Sequence, residues 1–468
     1  MAFNSFTFWL IYPLLFAFYW IIPSSQKTAK KWYLILVSYL LYMNWKPAFA
    51  IILLGVTLIT YFGALIIQKD KERNRKKLIY IFSILGLLPL LIFKYYNFLN
   101  ESLIAGLESI GLHFSLPGLN WAVPVGISFF TFQAVGYLFD VYYKKIEAET
   151  SLSDYTLFVS FFPQVTSGPI SKASELLPQI KNPKPFNYPQ AVAGLKLLLW
   201  GMFMKLVIAD RLGLYVDFLY SNYTHYTGFN CFIASVFYSI QIYADFAGYS
   251  LMAMGIAKTL GFDIINNFQR PYFSISVTDF WRRWHISLSR WLKDYVYIPM
   301  GGSRCSKLRN YWNIFVTFLV SGIWHGANWT FIAWGVMHGI CQIIEKALGF
   351  QKYEGHSPMI RISRICITFL IVNFAWIFFR MPTFEDAIGI IGHMFTHFSK
   401  GTVLHDQQMS IMAGLPFLLF KDFRDEFFRN KMQFLDTAIV RRSIYLFIFF
   451  MILMIGVLDS GQFIYGSF

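Results

Sequence analysis

Long apolar segments separated by short polar or basic loops run through the whole chain. They are long enough, or nearly so, to form helices in a bilayer, and they lie at residues 6–22, 32–43, 48–67, 78–98, 121–141, 191–209, 231–256, 311–326, 329–348, 362–380, 407–420 and 440–458. The short segments, including the pair on either side of Asn328, we expect to be tilted, re-entrant or buried. The pattern predicts an all-α integral membrane protein.

Basic residues assign the two sides of the membrane. The most basic loop runs from Lys69 to Lys77, and the clusters at residues 27–31, 144–145 and 424–442 fall on the same side if the spans alternate. The loops between them, at residues 100–120 and 221–230, contain no Lys or Arg. Because basic loops remain in the cytoplasm, both chain termini are expected to be extracytoplasmic.

We expect one transmembrane domain over residues 1–468, with N-terminal helices in 1–150, a catalytic core in 151–348 and C-terminal helices and a tail in 349–468. Within the core, residues 161–170 are apolar but interrupted by Pro and Gly, so other protein or a cavity must satisfy their backbone groups. Apolar residues recur at helical spacing over residues 281–292, among many arginines. This spacing predicts a single amphipathic helix at the cytoplasmic boundary.

Composition agrees with a membrane protein. Hydrophobic residues make up 56% of the chain and charged residues only 14%, too little polar surface for a soluble protein of this size. The net charge of +15 is spread over short clusters between apolar runs, a pattern typical of membrane topology and anionic lipid rather than nucleic acid. No cysteine pair or His-Glu-x-x-His motif indicates a metal site or a bound cofactor.

His325 is the strongest candidate for chemistry. It lies in an apolar run, where an ionisable residue is costly and therefore a functional candidate. Gly322 and Gly326 flank it, and we expect them to leave room for a cavity beside the ring. A neutral imidazole there could take a proton from a hydroxyl near neutral pH. The alternative is a buried histidine that hydrogen-bonds a neighbouring helix.

Three further groups are weaker candidates. His285 lies among arginines and could instead belong to a solvated face. The basic residues Arg270, Arg282, Arg283 and Arg304 could bind phosphates, although most of this charge is expected to hold the helix against anionic lipid. Asp245 lies inside an apolar run, where it could line a cavity or lock two helices through a hydrogen bond.

Several blocks of sequence together resemble one family. These are Gln241 to Ser250, Trp281 to Trp291, Tyr297 to Arg304, Ser321 to Trp329, and Phe378 to Arg380. They are similar, in this order and over nearly the whole chain, to the membrane-bound O-acyltransferase (MBOAT) family, and within it to the bacterial alginate O-acetylation branch. The resemblance implies a ring of about ten to twelve tilted transmembrane helices, with re-entrant and amphipathic helices around a central tunnel.

The resemblance also implies roles for individual residues. His325 matches the catalytic histidine of the family and His285 its second histidine. Acetyl-CoA is the expected acyl donor, without a permanently bound cofactor, and its binding is assigned to Arg282, Arg283, Arg304, Trp281 and Trp284. Asp245, Trp324 and Asn328 are candidates for the tunnel lining.

The C-terminal residues resemble a tail of this branch in which a tyrosine carries the acyl group. Tyr465 would be that tyrosine. The expected partners are an extracytoplasmic protein of the SGNH-hydrolase type and a polysaccharide acceptor, and the expected location is the bacterial inner membrane. Gly466 and Ser467 are less aromatic than is usual in that tail.

Three other functions remain open at this stage. A D-alanyl transferase to teichoic acid would use a thioester on a carrier protein. A transporter or flippase would use the same tunnel without chemistry. A non-catalytic scaffold for envelope-modifying enzymes would not need His325.

Overall fold

The computed structural model describes residues 3–70, 74–113, 116–351, 355, 357–399, 412–428 and 437–458. The regular structure of these residues is entirely helical, which confirms the prediction of an all-α membrane protein. Six of the described helical stretches are long and apolar enough to cross a membrane: Pro47–Lys69, Arg75–Glu108, Tyr188–Ser221, Gly228–Thr259, Pro358–Arg380 and Ala438–Ile455.

The chain divides into two compact units. The first contains residues 7–194 and 256–265, and the second contains residues 2–6, 195–255 and 266–468. The helices of the first unit are α1 (Phe6–Ile21), α2 (Lys27–Met43), α3 (Pro47–Lys69), α4 (Arg75–Leu90), α5 (Tyr96–Glu108), α6 (Ile127–Tyr142), α7 (Leu152–Ser160) and α8 (Ala173–Lys181). Helix α9 (Tyr188–Met202) starts in this unit and ends in the second.

Three packed helices form the centre of the first unit, since α3, α4 and α6 all contact one another. The apolar run at residues 121–141 predicts a helix from its start, but α6 begins only at Ile127. Gly126 stands just before it with φ +77°, and a Cβ there would lie 2.2 Å from the carbonyl oxygen of Val165. The close approach of the 161–170 segment and the positive φ therefore require glycine at the residue before α6.

The segment at residues 161–170 is buried and irregular, as predicted. The side chain of Gln164 donates to Oε1 of Gln133 on α6 at 3.0 Å and accepts from the Ser171 hydroxyl at 2.8 Å. The backbone N–H of Phe162 donates to the hydroxyl of Ser38 on α2 at 3.1 Å. Polar side chains of neighbouring helices thus help to satisfy and hold this non-helical segment.

The second unit holds the remaining helices. They are α10 (Asp210–Ser221), α11 (Gly228–Thr259), α12 (Val277–Arg283), α13 (Ile286–Leu292), α14 (Lys307–His325), α15 (Trp329–Ala347), α16 (Pro358–Arg380), α17 (Phe384–Thr396), α18 (Leu415–Phe427) and α19 (Ala438–Ile455). Short 3₁₀ turns lie at Tyr223–His225 and Pro271–Phe273, and π-helical turns at Leu91–Tyr95, Phe203–Ala209 and Lys293–Tyr297.

Helix α17 has no counterpart among the apolar runs. Its start is set by Thr383, whose hydroxyl accepts from the backbone N–H of Asp386 at 3.0 Å, a common way to satisfy the first turn of a helix. Acidic Glu385 and Asp386 in that turn complement the helix dipole. The sequence signal for α17 was therefore its N-terminal cap rather than a hydrophobic run.

Candidate active site

His325 lies at the bend of a helical hairpin. It is the last residue of α14, and the chain turns at Gly326 before α15 begins. The side chain of Asn328 accepts from the backbone N–H of Thr330 at 3.0 Å and so caps α15. Two adjacent local signals, a glycine and an asparagine cap, therefore separate what could have been one long helix.

The two helices of the hairpin pack closely because of their glycines. A Cβ on Gly322 would lie 2.4 Å from the carbonyl oxygen of Phe331, and one on Gly335 would lie 2.5 Å from that of Phe318. At Gly326 a Cβ would meet the ring of Phe331. The expectation that Gly322 and Gly326 leave room for a cavity is therefore wrong, because α15 occupies that space.

Aromatic rings surround His325. Its side chain is buried, with 2% of its surface exposed. The ring centroids of Trp324, Trp334 and Phe379 lie 4.9, 4.9 and 5.1 Å from that of the imidazole. These rings therefore cover most of the imidazole surface.

His285 lies at a corner between two short helices. A single amphipathic helix over residues 281–292 was predicted, but α12 ends at Arg283 and α13 begins at Ile286. Between them His285 has φ +42°, an uncommon backbone conformation for a residue with a side chain. The prediction of one continuous helix is therefore wrong. The spacing of the apolar residues could not reveal the break, because the same spacing continues across it.

Asn267 holds this corner in place. Its backbone oxygen accepts from the N–H of Ile286 at 3.0 Å, and its side-chain oxygen accepts from the N–H of Ser287 at 3.0 Å. Tertiary hydrogen bonds thus stabilise the strained residue, as is common at functional sites. The sequence offered no signal for Asn267.

The imidazole of His285 is buried among aromatic rings. The centroid of Phe246 lies 4.7 Å away and that of Trp324 lies 5.6 Å away. Burial lowers the pKa of His285 to about 3, so the ring is neutral at physiological pH. Trp324 contacts both His285 and His325 and thereby links the two predicted histidines.

A third histidine, His338, belongs to the same cluster and was not predicted. Its ring centroid lies 4.8 Å from that of Trp334, which also contacts His325. Its Nδ1 accepts from the indole N–H of Trp281 at 3.3 Å, which leaves the proton of a neutral ring on Nε2. The available signal was the spacing of Trp334 and His338, which places them on one face of α15.

The predicted donor-binding residues separate into two groups. Trp281 and Trp284 are 7% and 0% exposed and belong to the buried aromatic cluster. Arg282 and Arg304 are exposed. Only the two arginines are therefore placed where a soluble ligand could reach them without rearrangement.

Arg283 and Arg270 both contact Glu426 of α18. The distances to Oε2 are 3.0 Å from Arg283 and 2.8 Å from Arg270, and Arg361 of α16 lies 3.2 Å from Oε1. Burial acts to raise the pKa of Glu426, but the hydrogen bonds from Arg270 and Arg283 hold it below its usual value. This carboxylate ties α12, α16 and α18 together, and it was not singled out in the sequence.

Asp245 takes part in a buried ion triad. The ammonium of Lys205 lies 2.7 Å from a carboxylate oxygen of Asp245 and 2.7 Å from one of Asp210. Lys205 and Asp245 are each 1% exposed, and Asp210 is 5% exposed. Asp245 is thus held by an ion pair with a lysine, and the missed signal was Lys205, one of two lysines in the apolar run at residues 191–209.

Asn328 lines an open cavity of about 730 Å³ just beyond the bend. Trp329, Ile332 and Ala333 of α15 and residues 382–385, where α17 begins, form the rest of its wall. The side-chain amide of Asn328 donates to the carbonyl oxygen of Pro382 at 2.7 Å. This cavity therefore begins three residues from His325 along the chain.

Tyr465 lies outside the described residues. Among the described residues, no group of three His, Cys, Asp or Glu side chains could hold a metal ion.

Apolar helices of membrane length, with neutral and charged side chains gathered in their interior, define a polytopic membrane protein with an internal site. The chain belongs to the membrane-bound O-acyltransferase family, whose sequence model matches residues 125–382. It is therefore an acyltransferase, and the matched range contains His285, His325 and His338.

Individual relatives agree with this assignment. The chain is 36% identical to the peptidoglycan O-acetyltransferase of Helicobacter pylori over 83% of this chain and 80% of that protein. It is 34% identical to a probable alginate O-acetylase of Pseudomonas syringae pv. tomato, over 92% of this chain and 83% of the relative. A teichoic acid D-alanyltransferase of Streptococcus thermophilus is 32% identical over 59% of this chain and 66% of the relative.

Proposed function

We propose that this membrane O-acyltransferase transfers acetyl groups from cytosolic acetyl-CoA to hydroxyls of an extracytoplasmic polysaccharide. Two relatives that match more than four fifths of the chain are named for O-acetyl transfer. The observation that carries the proposal is the position of His325, which ends α14 and is buried inside the aromatic cluster.

The chemistry requires one base and one thioester. His325 takes the proton of the attacking hydroxyl, whose oxygen bonds to the carbonyl carbon of the acetyl group. The bond from that carbon to sulfur breaks, and the proton passes from the imidazole to the departing thiolate. His285, neutral and linked to His325 through Trp324, positions the thioester.

The donor would bind on the cytoplasmic side. Arg282 and Arg304 are exposed in the basic segment at residues 258–310, and guanidinium groups bind phosphates well. Arg283, in contrast, is engaged by Asp279 and Glu426. Arg282 and Arg304 are therefore the proposed phosphate contacts, while Trp281 and Trp284 support the site from within.

The acceptor would approach from the opposite end of the hairpin. Lys307 begins α14 and Lys346 lies in the last turn of α15, so the basic end of the hairpin is far from the bend. The positive-inside rule places that basic end in the cytoplasm. The cavity at Asn328 then faces the outer side, in keeping with extracytoplasmic termini and a location in the bacterial inner membrane.

Transfer onward could use Tyr465 as an acyl carrier. A phenol has a pKa of about 10 and leaves more readily than a sugar alcohol, so its acetyl ester keeps transfer potential. An extracytoplasmic partner of the SGNH-hydrolase type would then move the acetyl group to the polymer.

Membranes containing the protein, incubated with radiolabelled acetyl-CoA, test donor and relay together. We expect label in the C-terminal peptide and then in added glycan. Tyr465→Phe should abolish both signals if the tyrosine is the carrier, while unchanged glycan labelling in that variant would exclude the relay. Arg282→Gln and Arg304→Gln should raise KM for acetyl-CoA with little change in kcat.

D-alanyl transfer is the second candidate, because a teichoic acid D-alanyltransferase matches 59% of the chain. That reaction would use D-alanine on a carrier protein instead of acetyl-CoA. Supplying each thioester separately to the same membranes distinguishes the two. Transfer from the D-alanyl carrier alone would exclude the acetyl assignment.

A further inference from the structure

A cavity of about 1000 Å³ lies within the second unit, beside the aromatic cluster, since Tyr243 and Phe268 in its lining contact Trp284. Its walls come from the second half of α9, the middle of α11, and helices α18 and α19. None of the three histidines lines it. Its size is at the upper end of ligand-binding pockets.

Much of the cavity lining is apolar, and we refer to this apolar part as the inner walls. They include Trp200, Phe417, Phe447 and Ile448. One wall is α19, and only 11% of this apolar helix is buried by other protein. Its other faces therefore border lipid. A cavity bounded by such a helix is within reach of the acyl chains of the bilayer.

Basic side chains also line the cavity, and we refer to the charged part of the lining as the rim. Five basic and two acidic residues line the cavity. The basic ones are Lys196, Arg270, Lys421, Arg424 and Arg441, and the acidic ones are Asp422 and Asp425. The lysines also lie over aromatic rings, since Lys421 is 5.2 Å from the ring of Trp200 and Lys196 is 5.7 Å from that of Tyr445. Such lysines cover apolar surface while their charge remains at the boundary.

Most of the acidic charge already has a partner. Asp425 lies 3.0 Å from Lys421 and 3.7 Å from Arg424, and the carboxylate of Asp422 accepts from the hydroxyl of Tyr243 at 2.9 Å. Lys421 and Arg424 share the single carboxylate of Asp425, and Arg270 pairs with Glu426. Five cations therefore face three carboxylates, and the net charge of about +2 suits an anion.

The charged and apolar parts are arranged along α19. Arg441 is in the first turns of this helix and Ile448 lies seven residues further, about 10 Å along the axis. That depth is roughly a third of the hydrocarbon core of a bilayer. The arrangement matches a molecule with a charged head and an apolar chain.

We propose that this cavity binds one anionic phospholipid, with its phosphate at the rim formed by Lys421, Arg424 and Arg441 and an acyl chain along Phe447 and Ile448. Coenzyme A fits less well, because its nucleotide and pantetheine are polar throughout and the inner walls offer mainly apolar contacts. The bound lipid would fill the space between α9 and α19.

Native mass spectrometry of the full-length protein in detergent tests this site. Phosphatidylglycerol and phosphatidylcholine with identical acyl chains are titrated separately. We expect one tightly retained phosphatidylglycerol and weaker binding of phosphatidylcholine. Lys421→Gln and Arg441→Gln should each weaken phosphatidylglycerol binding about fivefold, the effect of one cation near a lipid phosphate.

Arg442→Gln is the matched control, because Arg442 is the next residue of α19 but does not line the cavity. It should leave binding unchanged. Ser443→Trp, at an exposed residue of the lining, should block both lipids while the melting temperature in detergent stays near that of the wild type.

Equal retention of the two lipids in all variants would overturn the proposal. So would displacement of phosphatidylglycerol by acetyl-CoA at a ratio of one to one, since the cavity would then belong to the donor site. Acetyl transfer activity is not needed as a readout, so this test is independent of the proposed reaction.

Discussion

The second unit contains two clusters of buried polar side chains, and the surrounding protein accommodates them in different ways. The imidazoles of His285, His325 and His338 are packed among aromatic rings. The triad of Lys205, Asp210 and Asp245 instead brings opposite charges within 2.7 Å of each other. A neutral ring can take up and release a proton, whereas a buried ion pair is costly to disturb. We therefore assign chemistry to the first cluster and structural support to the second.

The ion triad also has an unusual backbone. Lys205 lies in the π-helical turn Phe203–Ala209, and such turns are frequent at functional sites. Here the turn brings Lys205 to both carboxylates. A structural ion pair thus accounts for this π-helical turn. The presence of such a turn is therefore not enough to identify a catalytic residue.

Replacing His325 should have the largest effect on activity. For His325→Gln we expect acetyl transfer to fall by about 10²–10⁴-fold, the range for loss of a general base, with little change in melting temperature. His225→Gln, at an exposed position, serves as the control. Activity within a few fold of wild type in His325→Gln would contradict the assignment of the base.

Removing the lysine of the triad should affect stability most. Lys205→Met leaves two buried carboxylates without their cation, which costs about 3–5 kcal/mol, so the protein should unfold at a lower temperature in detergent. The triple variant that adds Asp210→Asn and Asp245→Asn should recover part of that loss. If Lys205→Met were as stable as wild type but inactive, the triad would belong to the chemistry.

Overpacking between α14 and α15 should lower stability by less than the loss of Lys205. In Gly322→Ala the new methyl group would meet the carbonyl oxygen of Phe331, and overpacking typically costs about 1–3 kcal/mol. The displaced hairpin should also lower kcat, because His325 ends α14. Gly55→Ala is a suitable control, since a Cβ there would meet nothing within 4 Å. Unchanged stability in Gly322→Ala would show that the helices can separate freely.

Acid should destabilise the imidazole cluster. The pKa of His285 is lowered to about 3 in the folded protein from about 6.5 when unfolded, so its contribution is complete above pH 6.5 and is lost as the pH falls toward 3. At pH 5.5 the loss is about 1.4 kcal/mol. Melting curves at pH 7.5 and 5.5 should differ less in His285→Gln than in wild type. An identical pH dependence in both would contradict the burial of a neutral ring.

The hydrogen bond from Trp281 to His338 should matter least. Trp281→Phe keeps most of the aromatic packing but removes the N–H donor, at a cost of about 1 kcal/mol. We expect stability to fall slightly and acetyl transfer by less than tenfold. A loss as large as that of His325→Gln would instead indicate that His338 takes part in the chemistry.

Much of the site could be predicted from residue types in unusual surroundings. His325 stood out because an ionisable residue interrupts an apolar run, and the break at Gly326 and Asn328 was readable from local signals. Asp245 stood out for the same reason. His338 was equally isolated in its helix, and only its distance to Trp334 and Trp281 distinguishes it from a histidine without a role.

The amino-acid sequence by itself determined that the chain is helical and enters the membrane, because the length and hydropathy of each segment depend on local composition. It also determined the family, through blocks of residues that stand in order along the chain. Only the tertiary structure decided that Lys205 pairs with Asp245, that Glu426 engages Arg270 and Arg283, and that Asn267 fixes the corner at His285. These contacts join residues far apart in the chain, and their energies depend on distances that no local pattern specifies.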